Sequence, residues 1–295
     1  MTTSQSGRLY VVSTPIGNMG DFSFRAVEVL RSVHLILAED TRHSRTLLDR
    51  YDIHTPMASH HEHNEAKTTP RLVERLAGGE DMALITDAGT PLLSDPGQRL
   101  VHAAIEAEVP VIPVPGASAL LAALVASGLP ADRFTFFGFL PRKGRERTHV
   151  LDEIASSPYS AVLYEAPSRV AGSLRDLADR AGGRLAVVAR ELTKQFEELR
   201  RGTLASLSTY YKESPPRGEV VILIAGAPLA APDETALLEE ARVLSARGVS
   251  VRDVAVALTH LGAPRNLAYR IARAADAESQ TAEIGNGKSE MGADE

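Results

Sequence analysis

Short apolar runs recur along the first part of the chain, and each is followed by a polar loop and then by apolar residues at helical spacing. Runs of this length, bounded by Gly, Pro and polar residues, predict buried strands. The four predicted strands read LYVV at 9–12, LILA at 35–38, MALIT at 82–86 and VIPV at 111–114. Repetition of strand, loop and helix predicts a parallel α/β domain over residues 1–127, with its loops gathered at one edge of the sheet.

A second α/β domain is predicted over residues 128–226. Its apolar runs lie at 134–140, 161–164, 185–189 and 220–225, and three of them end in charged residues. Helical spacing then predicts a compact helical module over 233–276, with one apolar face formed by Leu237, Leu238, Ala241 and Leu244. From Ala277 onward the residues are small and polar, which predicts a disordered tail over 277–295.

The loop DAGTPLLSDPG, residues 87–97, follows the predicted strand at 82–86. Gly89 and Gly97 admit backbone conformations closed to other residues, and two prolines stiffen the segment. The pair Asp95-Pro96 predicts a helix N-cap followed by proline at the first helical position. Open α/β sheets bind ligands at the carboxyl ends of their strands, so the loop is a candidate binding site. A rigid turn that binds nothing is the alternative.

Composition and charge exclude several classes of protein. The chain has 295 residues, 44% of them hydrophobic, and no cysteine, so disulfides and thiol nucleophiles are excluded. No apolar run reaches the length of a membrane span and the start of the chain lacks a signal-peptide pattern, so we expect a cytoplasmic protein. The net charge of −6 argues against wholesale coating of nucleic acid, although a local basic patch remains compatible with it.

The loop chemistry indicates the kind of ligand. No G-x-G-x-x-G follows a predicted strand, and the GKS at 287–289 lacks the first glycine of a phosphate-binding loop. Asp87 and Asp95 would repel phosphate, so a cationic or neutral ligand fits better. S-adenosylmethionine qualifies, because its sulfur carries a positive charge and its adenosine needs flat apolar contacts and backbone hydrogen bonds.

A series of motifs in order along 9–226 carries a resemblance. They are LYVVSTPIGNMGDFSFRA, AEDTR, HEHNE, DAGTPLLSDPG, PGASA, SGLP, FFGFLPRKGRER, YEAPSR, RELTKQFEE and RGE. Together they resemble the ribosomal RNA small subunit methyltransferase I family of the tetrapyrrole methylase superfamily. The helical end is similar to that family's C-terminal helix-turn-helix segment. A single motif such as PGASA would be weak support, whereas the whole ordered series is highly specific.

The resemblance implies two unequal α/β domains of tetrapyrrole-methylase type with a cleft between them, usually in a homodimer. It implies that S-adenosylmethionine lies in this cleft and that the enzyme methylates the ribose 2′-hydroxyl of a cytidine, cytidine 1402, in 16S rRNA of the small ribosomal subunit. Carried over by motif, the implied cofactor contacts are Pro15, Asp87, Ala88, Gly89, Thr90, Leu93, Ser118, Ala119, Glu165 and Leu192.

Methylation of a hydroxyl needs a base to accept its proton or a cation to stabilise the developing alkoxide. The candidate catalytic residues are polar groups at strand ends, namely Glu39, Asp40 and Arg42 in the first domain and Glu191, Lys194 and Glu197 in the second. Positions i−3 and i+3 from Lys194 predict one helical face shared by this lysine and two carboxylates. A structural ion-pair cluster between the domains is the alternative.

Two further groups of side chains bear on partners. Arg142, Lys143, Arg145 and Arg147 of the second domain, with Arg270 and Arg273 of the helical module, are candidate RNA contacts; a solvated loop is the alternative. His60, His61 and His63 lack the spacing of metal ligands, so we expect no metal site. Two other functions remain open: a small-molecule methyltransferase of the same superfamily, acting on a porphyrin-like ring, and a non-catalytic nucleic-acid-binding protein.

Overall fold

The computed structural model describes residues 6–228 and 233–287. The chain divides into two compact units, one up to Ala227 and one from Pro228 onward. Within these described residues, the first unit contains two five-stranded sheets with helices, and the second contains three helices. We call the part built on the first sheet the first lobe and the part built on the second sheet the second lobe.

The sheet of the first lobe is entirely parallel, as the strand–loop–helix pattern predicts, and its strand order is β3-β2-β4-β1-β5. β2 and β4 are buried along their whole length because helices cover both faces of the sheet. The sequence pattern missed β3, a short and half-exposed edge strand. The strands are β1 (Leu9–Val12), β2 (Leu35–Ala38), β3 (Met57–Ser59), β4 (Met82–Ile85) and β5 (Val111–Val114).

Five helices complete the first lobe: α1 (Phe24–Ser32), α2 (Thr41–Arg50), α3 (Glu65–Ala77), α4 (Gln98–Glu106) and α5 (Ala119–Ser127). The side chains of Ser23, Asp40 and Ser118 cap α1, α2 and α5 by accepting backbone N–H bonds. The N-cap of α4 is Gly97, in a left-handed conformation with φ of 117°, and no side chain caps this helix. The predicted cap at Asp95 is therefore wrong, because the Asp95 carboxyl does not bond to the first backbone N–H groups of α4.

The second lobe has a mixed sheet with the strand order β6-β7-β10-β8-β9. The central strand β10 runs antiparallel to both of its neighbours, so it starts at the edge of the sheet where they end. The sequence pattern missed β9, because its residues ELRRGT form a polar edge strand. The strands are β6 (Phe134–Phe139), β7 (Ser160–Glu165), β8 (Leu185–Arg190), β9 (Glu198–Thr203) and β10 (Val220–Ile224), and the helices are α6 (Gly144–Ser156), α7 (Val170–Ala181) and α8 (Leu204–Glu213).

Helix α5 joins the two lobes. Its residues Leu120, Ala123 and Leu124 form one buried apolar cluster with Val162 and Val187 of the second sheet. Burial of this kind stabilises by about 25 cal/mol per Å² of apolar surface, so this packing stabilises the contact between the two lobes. A cleft remains between them at the edge where the strands of the first sheet end.

The second unit is a three-helix module of α9 (Glu234–Ala246), α10 (Val251–His260) and α11 (Arg265–Gly287). The predicted apolar face is confirmed, since Leu237 and Ala241 are buried and Leu238 and Leu244 pack against them. α11 continues through 277–287, so the prediction of disorder is wrong for this stretch, whose alanine and glutamate favour helix. Residues 288–295 of the predicted tail lie outside the described residues. Within the described ranges, no helix combines the length and apolarity needed to cross a bilayer.

Candidate active site

The cleft between the lobes contains a cavity of about 450 Å³. Both lobes line it, because β4 and β7 end at the cleft while the antiparallel β10 begins there. The lining residues from the first lobe are Ile16, Glu39, Thr86, Asp87, Ala88, Gly89, Thr90, Leu93, Ser94, Asp95 and Ala119. Those from the second lobe are Phe139, Tyr164, Glu165, Ala166, Pro167, Leu192, Gly218, Glu219, Val220 and Val221.

The loop at 87–97 forms one wall of the cavity and is fixed to its own lobe. The backbone N–H of Thr14 donates to Gly89 O at 2.8 Å, and Gly89 N–H donates back to Thr14 O at 3.1 Å. Thr90 Oγ1 donates to Ala117 O at 3.1 Å. Leu92 and Ser94 have positive φ values of 75° and 72°, which are costly for residues with a side chain. Such conformations persist only where the surrounding structure holds them in place, so this wall is rigid.

The polar lining of the cavity is rich in carboxylates. Thr86 Oγ1 donates to Glu39 Oε2 at 3.0 Å, and the backbone N–H of Asp40 donates to Asp87 Oδ1 at 3.2 Å. The pKa of Asp95 is raised to about 6, chiefly by burial, with a hydrogen bond with Thr86 opposing the rise and the nearby Glu39 and Asp87 adding to it. The cavity therefore concentrates negative charge beside neutral backbone and apolar surface, a combination that suits a cationic ligand with an apolar body.

A smaller cavity of about 250 Å³ shares part of its lining with the larger one. The residues common to both are Ile16, Thr86, Asp87, Ala88 and Glu219. The smaller cavity alone is lined by Pro15, Gly17, Met19, His43, Ser44, Thr46, Leu47 and Lys194. The two cavities are thus neighbouring compartments of one cleft, with Asp87 and Glu219 at the boundary.

Lys194 is held between two carboxylates. Its Nζ donates to Glu191 Oε1 at 3.0 Å and to Glu219 Oε2 at 2.9 Å. Burial lowers the pKa of Lys194, but the hydrogen bonds and charges of Glu219 and Glu191 outweigh it, so the pKa lies above its ordinary value. The pKa of Glu191 is lowered, first by the backbone N–H of Glu219 and then by Lys194. Lys194 is consequently a fixed cation at neutral pH.

The predicted helical face around Lys194 is wrong. Residues 191–197 form consecutive turns, with positive φ values of 50° at Glu191 and 66° at Thr193. The Glu197 carboxylate accepts the Thr193 N–H at 2.6 Å and stabilises the turn. The second carboxylate that pairs with Lys194, besides Glu191, is Glu219, the residue immediately before β10. This partner was not predictable from spacing along the chain, because the antiparallel placement of β10 brings it to the site.

Of the three catalytic candidates in the first lobe, Glu39 lines the larger cavity, whereas Asp40 and Arg42 line neither cavity. Arg42 donates to Asp40 Oδ2 at 3.1 Å, and the Arg42 side chain is 90% exposed. Hydrogen bonds from the side chain and backbone of Arg42 lower the pKa of Asp40 to about 2. Asp40 also caps α2, so the structure gives this pair a part in ordering the start of that helix.

The structure places the predicted cofactor residues as follows. Eight line the larger cavity: Asp87, Ala88, Gly89, Thr90, Leu93, Ala119, Glu165 and Leu192. Pro15 lines the smaller cavity, and Ser118 lines neither but caps α5 through a bond from Leu121 N–H. Ser44 and Glu219 also line the cleft, but nothing in the sequence pattern predicted these two positions. Asp95 was predicted both to cap a helix and to give the loop a negative charge that suits a cationic ligand, and its place in the lining of the larger cavity agrees with the second interpretation.

The predicted RNA contacts differ in their availability. Arg142, Lys143 and Arg145 are exposed before and at the start of α6. Arg147 is not, because it donates to Asp176 Oδ2 at 2.9 Å and to Ser173 Oγ at 3.2 Å and so fastens α6 to α7. In the helical module, Arg270 is paired with Glu234 at 3.0 Å and Arg273 is exposed.

The histidine segment packs into the first lobe. His60 is fully buried, and its Nδ1 lies 3.1 Å from Thr68 Oγ1, while burial lowers its pKa. Among the described residues, no group of three or more His, Cys, Asp or Glu side chains is arranged to hold a metal ion.

Comparisons with known proteins agree with this architecture. Residues 8–208 match the family model of the Tetrapyrrole (Corrin/Porphyrin) Methylases. The chain is 47% identical, over 90% of its length and 96% of the relative's, to a Pseudomonas aeruginosa protein named Ribosomal RNA small subunit methyltransferase I. It is 49% identical to a Synechocystis sp. protein of the same name, over 83% of this chain and 89% of the relative.

Solved structures share the fold at low identity. A diphthine synthase superposes with a TM-score of 0.58 at 16% identity, covering 74% of this chain and 90% of its own. A Thermus thermophilus uroporphyrin-III C-methyltransferase, complexed with S-adenosylhomocysteine, superposes with a TM-score of 0.54 at 17% identity, covering 74% of this chain and 97% of its own. The family match and the identity to these relatives show that the chain belongs to the tetrapyrrole methylase family. Within that family it is similar to the proteins named Ribosomal RNA small subunit methyltransferase I.

Proposed function

We propose that this protein transfers a methyl group from S-adenosylmethionine to the ribose 2′-hydroxyl of a cytidine in the RNA of the small ribosomal subunit. The observation that carries the proposal is the pairing of two compartments in one cleft. The larger has an acidic lining, and the smaller holds the cation Lys194. The names of the similar proteins support the RNA substrate, and the family model supports methyl transfer.

The larger cavity fits the methyl donor by size and charge. Its volume of about 450 Å³ lies within the 300–1,000 Å³ that is usual for cofactor-sized ligands. Asp87, Asp95 and Glu165 offer negative charge to the sulfonium and ammonium groups, while Leu93 and Leu192 offer flat apolar surface to the adenine. When bound, the donor supplies a methyl group on a positively charged sulfur, which becomes a neutral thioether once the methyl has left.

The residues at the boundary of the compartments act on the acceptor. Lys194, held as a cation, would donate a hydrogen bond to the acceptor oxygen and stabilise its developing negative charge. Glu219 lines both cavities and accepts a hydrogen bond from Lys194 at 2.9 Å, and it would accept the hydroxyl proton as the new O–CH₃ bond forms. Glu191 would keep Lys194 in position. Holding the oxygen in line with the methyl carbon supplies much of the acceleration.

The exposed cations Arg142, Lys143 and Arg145 support binding to RNA, because phosphate contacts are made by accessible Lys and Arg. We include in the proposal the homodimer that the family resemblance implies and the cytoplasmic location that is expected from the sequence.

The test combines binding with mapping of the product. Calorimetric titration of S-adenosylmethionine into the pure protein should show one site per chain. Incubation with unmethylated small ribosomal subunits and tritiated donor, followed by nuclease digestion, should place the label on the ribose of one cytidine. Absence of donor binding, label on a base, or methylation of a porphyrin-like ring in place of RNA would each overturn the proposal.

A further inference from the structure

The smaller cavity has a wall that the donor site does not use. Four of its lining residues, His43, Ser44, Thr46 and Leu47, come from one side of α2 and are absent from the lining of the larger cavity. Lys194, from the second lobe, also lines this cavity. The shared residues Asp87 and Glu219 separate the compartments, so a group in the smaller cavity faces a group in the larger one across this boundary.

Ser44 is the unusual residue of this wall. It is only 2% exposed, and its Oγ has no hydrogen-bond partner among the residues that the structure describes. A buried hydroxyl without a partner is destabilising, and native structures normally satisfy such groups. A serine of this kind that lines a cavity has a ready explanation if its partner is a ligand that occupies the cavity during function.

Resting on the proposed function, we propose that the smaller cavity receives a single unpaired nucleoside of the RNA. Ser44 hydrogen-bonds that nucleoside and the exposed His43 flanks it at the mouth of the cavity. The in-line requirement of methyl transfer supports the assignment, because acceptor and donor must approach the methyl carbon from opposite sides. Two compartments that meet at Asp87 and Glu219 provide this arrangement, with Lys194 on the acceptor side.

The size of the cavity determines the form of the RNA. A volume of about 250 Å³ admits one nucleoside and excludes a base pair stacked within a helix. Enzymes that modify a nucleotide commonly take it out of its stack into a closely fitting pocket, and proteins read unpaired RNA bases by hydrogen bonds and stacking. The target would therefore have to be a nucleotide in a loop, or one turned out of its helix.

Ser44→Ala tests the hydroxyl. We expect the KM for small ribosomal subunits to rise about fivefold, the effect of losing one typical hydrogen bond, while the Kd for S-adenosylmethionine stays unchanged. Ser245→Ala is the matched control, because Ser245 is also a buried serine whose Oγ has no partner among the described residues, but it belongs to the helical module and lines neither cavity. It should leave both constants unchanged.

Thr46→Trp tests the compartment itself. Thr46 is exposed at the edge of α2, so the variant should fold, and the indole should fill the cavity and reduce methylation at least tenfold. Asp49→Trp, at an exposed position of α2 outside both cavities, is the control. Binding of a fluorescently labelled unpaired RNA fragment, measured by anisotropy without donor, should weaken for Thr46→Trp and stay unchanged for Asp49→Trp.

The outcomes separate the two proposals. If the wild-type protein fails to bind the donor or to methylate rRNA, the proposed function fails, and this inference fails with it. If the wild type is active while Ser44→Ala and Thr46→Trp keep the wild-type KM and RNA affinity, the assignment of the smaller cavity is wrong and the function stands. If these variants weaken donor binding instead, the smaller cavity belongs to the donor, which also overturns the assignment.

Discussion

The loops at 87–97 and 191–197 close the cleft from opposite lobes, and they are built differently. Each contains two non-glycine residues at positive φ, Leu92 with Ser94 and Glu191 with Thr193. The loop at 87–97 is held by backbone bonds and apolar packing within its own lobe. The loop at 191–197 is held by charged groups and by a contact across the cleft, where Asn18 N–H donates to Thr193 Oγ1 at 3.1 Å.

The difference suggests a division of labour. Packing defines the shape of the donor compartment, because dense apolar contacts tolerate little displacement. Lys194 is held by ion pairs with Glu191 and Glu219. Because the strength of these pairs depends on both carboxylates, the position of Lys194 can change when the acceptor binds. Substitutions in the first loop should therefore affect donor binding and stability, whereas substitutions in the second should affect the chemical step.

The largest effect is expected from Lys194→Met, which removes the cation and keeps the length of the side chain. We expect kcat to fall by about 10²–10³, as for the loss of one donor to a developing oxyanion. The Kd for S-adenosylmethionine should change little, because Lys194 does not line the larger cavity. Single-turnover methylation and calorimetry measure the two quantities. Lys212→Met, an exposed lysine on α8, is the control, and an equal loss of donor affinity in Lys194→Met would contradict the division of labour.

Gly97→Ala addresses the other loop. Gly97 has φ of 117°, and a Cβ there would lie 2.4 Å from Leu84 Cδ2. Backbone strain and overpacking together should lower the free energy of unfolding by about 2–4 kcal/mol and weaken donor binding. Gly128→Ala is the matched control, since Gly128 also has positive φ but meets nothing within 4 Å, and it reports the strain alone. Equal melting temperatures for the two variants would show that packing does not hold the loop.

The same contrast explains what could be predicted from the sequence. The periodic apolar runs correctly gave the parallel sheet and its cleft edge, because they reflect local burial that each segment carries in itself. The edge strands β3 and β9 were not predicted, because half-exposed strands need few apolar residues and so leave no apolar run in the sequence. The register of a mixed sheet is a property of the whole fold, so the position of Glu219 beside Lys194 was not predictable from either segment.

Two errors had a common cause. Asp95 was interpreted as a helix cap and Glu197 as a partner of Lys194 on a helix, because both have the spacing that those local structures use. The backbone of each loop instead turns through left-handed residues, which sequence spacing does not reveal. Asp95 consequently lines the cavity, and Glu197 stabilises a turn.

The smallest effect expected concerns the acidity of the donor compartment. Burial raises the pKa of Asp95 from 3.8 to about 6, so the carboxyl is neutral below that pH and negative above it. The affinity for the cationic donor should therefore rise about fivefold from pH 5 to pH 7, since a charge contact in a water-like medium contributes about 1 kcal/mol at 4 Å. In Asp95→Asn this rise should disappear, whereas Asp179→Asn, an exposed position on α7, should keep it.

Stability must change in the opposite sense: the folded state holds the proton to higher pH than the unfolded state does, so the wild type loses stability relative to Asp95→Asn as pH rises from 3.8 to 6. Calorimetric titrations and thermal melts across this range measure both trends, and a pH-independent affinity in the wild type would show that the charge of Asp95 does not contribute to donor binding.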